Sequence, residues 1–379
     1  PAPGLTGLGL HSAHAVECAQ VTANAARAML LVEPRRMAPT ELRVPEVTQG
    51  GWLAVEATGL SGIEVQAWAG GQPMLRYPLI PGHEVVGRVA EVFDGSWDFP
   101  VGTRVVVESS IRCGACRRCT GRLHSCSFRR PINAYGVLPS TESPGFWGGL
   151  AELLYLDPGA RLHAIHDDLP AVVATFAHPL AVGFTWAVEM PGLEAGESVL
   201  ILGPGPRGMG AMLAAKQAGA GWVGITGLTH DEDRLRLAKE LGADMVVDVQ
   251  TEDVPSAVAN SLGARPDVVV DATSDDPEAV HLALDLVRPG GRVILASTKG
   301  TNALHGLLSD SIVLKEITIR GAFGASSAGY HWAVRQLESD PRLDHLVSHE
   351  FPLGESERAI QATAGLLGRE ELIGVAVSV

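Results

Sequence analysis

The chain has 379 residues, of which 46% are hydrophobic and 19% charged; that composition supports a buried core and about two domains at ~150 residues each. Its formal net charge is −14. Such a surface repels phosphate backbones and offers no basic patch to an anionic membrane, so neither nucleic acid nor a bilayer is an expected partner.

Residues 1–25 are small and turn-prone and read as an N-terminal arm. They lack a basic start followed by an apolar core, so no secretion signal is expected and the expected location is cytoplasmic. Short β-branched runs follow at Ala28–Val32, Leu53–Ala57, Val85–Val92 and Arg104–Glu108, broken by glycine and proline; they predict a twisted β-rich unit reaching to about Asp157. Within it, four of the five cysteines lie at Cys113, Cys116, Cys119 and Cys126. Four thiolates at that spacing fill a tetrahedral zinc site and leave no place for substrate, which makes the zinc structural. An iron–sulfur cluster fits the spacing too, but nothing else in the chain points to electron transfer.

The stretch Leu169–Val188 carries no Asp, Glu, Lys or Arg, yet it holds Pro170, His178, Pro179 and Gly183. Two prolines and a histidine suit a buried segment at a domain junction better than a membrane span. From Ser198 strand and helix alternate, with strands at Val199–Leu202, Val223–Thr226, Val246–Val249, Val268–Asp271 and Arg292–Ala296. This rhythm predicts parallel βαβ units, an α/β fold with a doubly wound parallel sheet. Beyond about Arg320 come a helix near His331–Glu338, a strand at Glu350–Pro352, a helix near Glu355–Leu367 and a last strand at Val375–Val379.

The first of these strands runs into Gly203-Pro-Gly205-Pro-Arg-Gly208 and then a helix. That order suits a dinucleotide: the glycines allow a tight turn and close backbone approach, and the helix N-terminus faces the pyrophosphate. The second strand ends at Gly227, where an NAD site usually has an acid gripping the ribose hydroxyls. Without that acid a 2′-phosphate meets no repulsion there, and Thr229, His230 and Arg234 are candidates to hold it. NADP(H) is therefore favoured over NAD(H).

Several motifs together resemble the zinc-type alcohol dehydrogenase-like branch of the medium-chain dehydrogenase/reductase superfamily, near its polyol and threonine dehydrogenases. They are Pro81-Gly-His83-Glu84-Val-Val-Gly87, the four-cysteine lobe, Gly148-Gly-Leu-Ala-Glu152, the glycine loop and Arg288-Pro-Gly-Gly-Arg-Val, in that order. The resemblance implies a GroES-like catalytic domain of residues 1–183 and 321–379, with its zinc lobe at about 108–130. It implies a dinucleotide-binding Rossmann domain at 184–320, an active site in the cleft between the two, and a homodimer or homotetramer. It also implies a catalytic zinc, and here the sequence departs from the family. Where the family places a cysteine ligand and a hydroxyl relay, this chain has Ser61 and Ile63, and a relay histidine appears as Gln66. The candidate inner shell is Ser61, His83, Glu84 and His178, the last in His178-Pro179-Leu180. Two histidines and a glutamate form a known catalytic zinc set. The expected activity is NAD(P)-dependent hydride transfer between the nicotinamide and a small alcohol or carbonyl compound. One alternative is a reductase without catalytic zinc, NADPH-dependent and acting on an activated C=C or an iminium. Another is a nucleotide-binding protein without catalysis.

Overall fold

The computed structural model describes residues 24–120, 126, 133–300, 302–307, 309–368 and 372–379. Cys18, nearly all of the expected N-terminal arm and most of the zinc lobe after Thr120 lie outside the described residues.

Three sheets organise the chain. Strands β1 (Ala25–Glu33) and β2 (Arg36–Arg43) form an antiparallel hairpin. Strands β3 (Gly51–Leu60), β4 (Glu84–Val92), β5 (Arg104–Val107), β6 (Leu153–Leu156) and β7 (Leu162–Ala164) join β14 (His349–Pro352) and β15 (Val375–Ser378) in a seven-stranded sheet. This is the expected β-rich unit, and β15 pairs with β3 to bring the last residues back into it. Strands β8 (Ser198–Leu202), β9 (Trp222–Gly227), β10 (Met245–Asp248), β11 (Val268–Asp271), β12 (Arg292–Leu295) and β13 (Thr318–Gly321) form a parallel sheet in the order β10-β9-β8-β11-β12-β13. Counted within this unit the order is 3-2-1-4-5-6, the doubly wound Rossmann arrangement, and its direction reverses between β8 and β11.

The strands expected from apolar runs are present with shifts of a few residues at their ends. Four strands escaped that reading: β2, the short β6 and β7, and β13. In β2 a proline and alternating exposed residues mask the pattern, and β13 is mostly exposed at the sheet edge. Neither β2 nor β13 carries the continuous apolar run that marks a buried parallel strand, whereas β6 does but is only four residues long.

The uncharged stretch forms helical structure over Ala171–Glu189 that is long and apolar enough to cross a membrane by composition alone, and 78% of its apolar window is buried inside the protein. Its central helix, Ala177–Phe184, is buried at seven consecutive positions. Leu180, Val182 and Trp186 enter a core cluster that holds Val86 and Val106 of the seven-stranded sheet together with Val199 and Ile201 of the parallel sheet. Burying each such side chain contributes ~1.5–3 kcal/mol. The helix is therefore apolar all round because it is packed from both sheets, and it delivers His178 to the place where they meet.

Candidate active site

The glycine loop turns where β8 meets the helix Pro206–Gln217. Gly203 has φ of 97°, Gly205 is the helix N-cap and Pro206 takes the first helical position, where a missing N–H costs nothing. A Cβ on Gly208 would stand 1.9 Å from the Gly203 carbonyl oxygen, so only glycine lets strand and helix close up. Thr273, after β11, lies against Gly203 and completes the crevice at the switch point.

At the end of β9 a Cβ on Gly227 would lie 2.7 Å from Pro204 and 3.1 Å from Asp231, so local packing by itself accounts for glycine there. The three candidate phosphate ligands are engaged or flanked by acids. Thr229 Oγ1 donates to Asp248 at 2.6 Å, Arg234 pairs with Asp231 at 2.9 Å, and His230 Nε2 is 3.8 Å from Asp231.

His83, Glu84 and His178 come together and are all buried, offering ligand-type atoms within 4.8 Å of one another. Glu84 starts β4 opposite Gly59 of β3, where a Cβ would meet the Glu84 carboxylate at 2.4 Å, so glycine makes room for that acid. The His83 and His178 rings meet edge to face with centroids 4.8 Å apart. His83 Nδ1 is bound to Glu64 Oε1 at 2.6 Å, while His83 Nε2 and Glu84 Oε1 lie 3.7 Å apart, buried and without hydrogen-bond partners among the described residues. Burial pushes the Glu84 carboxyl up to about 7, an effect that His83 partly opposes. Burial works against charge on His83 as well, but the Glu64 carboxylate outweighs it and the His83 pKa is raised. His178 has no such partner: burial, then the charges of His83 and Arg207, hold its pKa well below the usual imidazole value.

Ser61 is the N-cap of the helix Gly62–Ala69. Its Oγ accepts from Ile63 N at 3.2 Å, and its N and Oγ donate to Glu64 Oε2 at 2.9 and 3.1 Å. The side chain offered as a metal ligand thus caps a helix and braces Glu64. Gln66 Oε1 accepts from Gln72 at 3.1 Å.

Three residues of this site were not among the sequence candidates. Glu64 had a readable signal, because Ser61-x-x-Glu64 is the capping-box pattern. Tyr330 had none, since it arrives from a helix, Ser327–Ser339, far along the chain. Its hydroxyl oxygen lies 2.5 Å from His178 Nδ1 and accepts from Ser109 N at 3.1 Å. Arg207, inside the glycine loop, places its guanidinium 5.9 Å from the Trp186 ring centre, and its charge reaches His83, Glu84 and His178.

Cys113, Cys116, Cys119 and Cys126 gather their sulfurs within 4.8 Å, and none forms a disulfide. Cys116 N and Cys119 N each donate to the sulfur three residues earlier at 3.4 Å. Such contacts favour thiolates, and four thiolates fit a zinc ion.

Two family models match the chain. "Alcohol dehydrogenase GroES-like domain" covers residues 52–167 and "Zinc-binding dehydrogenase" covers 206–339. Among curated proteins, "Probable alcohol dehydrogenase adh" of Mycobacterium tuberculosis is 37% identical over 92% of this chain and 93% of its own length. A sorbitol dehydrogenase of Halalkalibacterium halodurans is 31% identical over 84% and 90%. Among solved structures, an alcohol dehydrogenase of Thermotoga maritima shares the fold with a TM-score of 0.83 at 24% identity, covering 93% of this chain and 99% of that one. A Sinorhizobium meliloti protein crystallised with NADP has a TM-score of 0.81 at 26% identity, over 94% and 100%.

Proposed function

The chain belongs to the zinc-type alcohol dehydrogenase-like family of medium-chain dehydrogenases and is an oxidoreductase, and on that premise we propose that it transfers hydride between a nicotinamide dinucleotide and a small alcohol or carbonyl compound in the cleft lined by His83, Glu84 and His178. The observation that carries this reading is the pair of buried, partnerless ligand atoms, His83 Nε2 and Glu84 Oε1, beside a glycine loop shaped for a dinucleotide. Orphaned buried polar atoms cost free energy unless something occupies them. A lone-pair nitrogen and a carboxylate oxygen facing one space fit a divalent cation such as zinc, with His178 as the candidate third ligand. When bound there, such an ion supplies Lewis acidity to a substrate oxygen. Glu64 holds the His83 ring so that Nε2 faces that space, and Arg207 places a positive charge beside it.

The second reading, a reductase without catalytic zinc acting on an activated C=C or an iminium, draws support from Ser61. Its hydroxyl is committed to the helix cap and to Glu64. The cysteine lobe is proposed to hold a separate, structural zinc.

For the dinucleotide, NADP(H) is supported by the missing acid at Gly227 and by the NADP held in the Sinorhizobium meliloti protein. The Asp231 and Asp248 carboxylates weigh against it. Residues 1–183 with 321–379 are proposed as the catalytic domain and 184–320 as the cofactor domain. A homodimer is proposed along the open edge of β13, where Val313, Leu314 and Phe323 are exposed. Working in the cytoplasm, where thiols stay reduced, suits the cysteine lobe.

Metal analysis joined to titration with NADH and NADPH tests the whole. One zinc held tightly in the cysteine lobe, a second metal bound more weakly beside His83 and Glu84, and at least tenfold tighter NADPH are expected. One zinc per chain selects the second reading, and tighter NADH overturns the NADP(H) assignment.

A further inference from the structure

His178 has two ring nitrogens, and its neighbour decides which of them carries the proton. Among the described residues the Tyr330 hydroxyl meets Ser109 N at 3.1 Å, the Ser109 side chain, and His178 Nδ1 at 2.5 Å. A backbone N–H can only donate, so the phenol oxygen is the acceptor toward Ser109. Burial raises the Tyr330 pKa, and both Ser109 contacts act against it, as donors to the phenol oxygen do, which leaves His178 Nδ1, at 2.5 Å, as the acceptor of the phenol's own proton. Tyr330 is 1% exposed and so is closed to bulk water. Glu108, the nearby carboxylate, is engaged with His163 Nε2 at 3.0 Å. The His163 ring lies flat on Tyr330, with centroids 5.3 Å apart at 9°, and holds the phenol in place.

If Nδ1 accepts, a neutral imidazole carries its proton on Nε2. A protonated Nε2 has no lone pair for a metal. We propose that Tyr330 is a positioning residue that holds His178 in the Nε2–H form, so that His178 meets the substrate oxygen as a hydrogen-bond donor and not as a metal ligand. This rests on the reading of His83, Glu84 and His178 as the reaction centre. Negative charge grows on the substrate oxygen when hydride reaches a carbonyl, and a fixed N–H in a dry cleft stabilises it. The neighbouring cation site is then left with His83 and Glu84, one protein ligand short of the usual three.

The alternative arrangement, Nδ1–H donating to Tyr330, is the usual outer-shell support of a metal-bound histidine, and removing that support weakens a metal site by about 10–100-fold. The two arrangements therefore predict opposite signs. Full-length protein with its cysteine lobe loaded is titrated with Co2+ against a chelator, as wild type, Tyr330→Phe, His178→Gln and the double variant. Tyr330→Phe frees Nδ1 to take the proton and Nε2 to bind metal. The expected result is second-site Co2+ binding at least tenfold tighter in Tyr330→Phe, a gain absent from the double variant, with His178→Gln alone unchanged. Weaker or unchanged Co2+ binding in Tyr330→Phe overturns the proposal.

A second measurement needs no altered tyrosine. A long-range 1H–15N correlation spectrum of histidine-labelled wild type, assigned by the signal lost in His178→Gln, should show Nε2 as the protonated nitrogen. A protonated Nδ1 overturns the proposal. Loss of the wider reading looks different: wild type and His83→Ala would reduce carbonyl compounds equally well, whatever the His178 tautomer.

Discussion

At the residue scale the site depends on a few buried polar contacts. Glu64 joins three of them, accepting from Ser61 N and Oγ and binding His83 Nδ1. Its pKa is held below the usual value because His83 and the Ser61 hydrogen bonds outweigh burial, which acts the other way. Glu64→Gln keeps the shape and removes the charge that orients His83. Metal affinity at His83 and Glu84 should fall about 10–100-fold, while the metal in the cysteine lobe stays. Chelator competition on the two sites measures this, and an unchanged affinity would show that Glu64 only caps a helix.

At the element scale the two metal-type clusters differ in what they hold together. In the cysteine lobe Cys113 is exposed and Cys126 buried. The structural zinc proposed there would cross-link the lobe, whose described cysteines form no disulfide. Cys116→Ser should release one metal equivalent and lower the melting temperature; a variant that keeps both its metal and its melting curve refutes the assignment.

The parallel sheet is tied differently. Asp267 accepts from Ser198 N and Oγ at 2.8 and 2.6 Å and from Arg288 at 2.6 Å, clamping the starts of β8 and β11. Burial raises the Asp267 pKa, but the Ser198 hydrogen bonds and Arg288 outweigh it, so the folded value is depressed. A depressed carboxyl pKa contributes stability fully above the unfolded value of ~3.9 and loses it as pH falls through the folded value. Asp267→Asn should cost about 1–3 kcal/mol at pH 7, and the gap to wild type should close below about pH 4. Melting curves from pH 7 to pH 3 check this; a gap that widens in acid contradicts it.

At the scale of the whole molecule, the parallel sheet ends on β13, whose outer edge has no neighbouring strand among the described residues. Beside it Val313 and Leu314 are 70% and 83% exposed and Phe323 is 56% exposed. An open edge flanked by apolar side chains invites pairing with another chain, and a second copy presents the same edge. Leu314→Asp combined with Val313→Asp should shift the assembly to monomers in sedimentation without altering the near-ultraviolet spectrum. A wild type that sediments as a monomer at micromolar concentration removes the dimer proposal.

Much of this molecule was legible along the chain because its signals are local. Apolar runs marked the buried strands, Gly203, Gly205 and Gly208 stood where a strand meets a helix, and Cys113 to Cys126 lie close together along the chain. These features depend on neighbours a few residues away, so spacing carries them. His83 and Glu84 were legible for the same reason. What Ser61 does was decided by a helix start that the apolar pattern did not reveal. Gly227 was read as a cofactor signal, and the folded chain shows Asp231 and Pro204 packed against it. Only the tertiary structure brought Tyr330 to His178 across 152 positions and Arg207 to the cluster of His83, Glu84 and His178. Hydrogen-bond accounting at a buried atom depends on every group that reaches it in space, and no pattern along the sequence records that set.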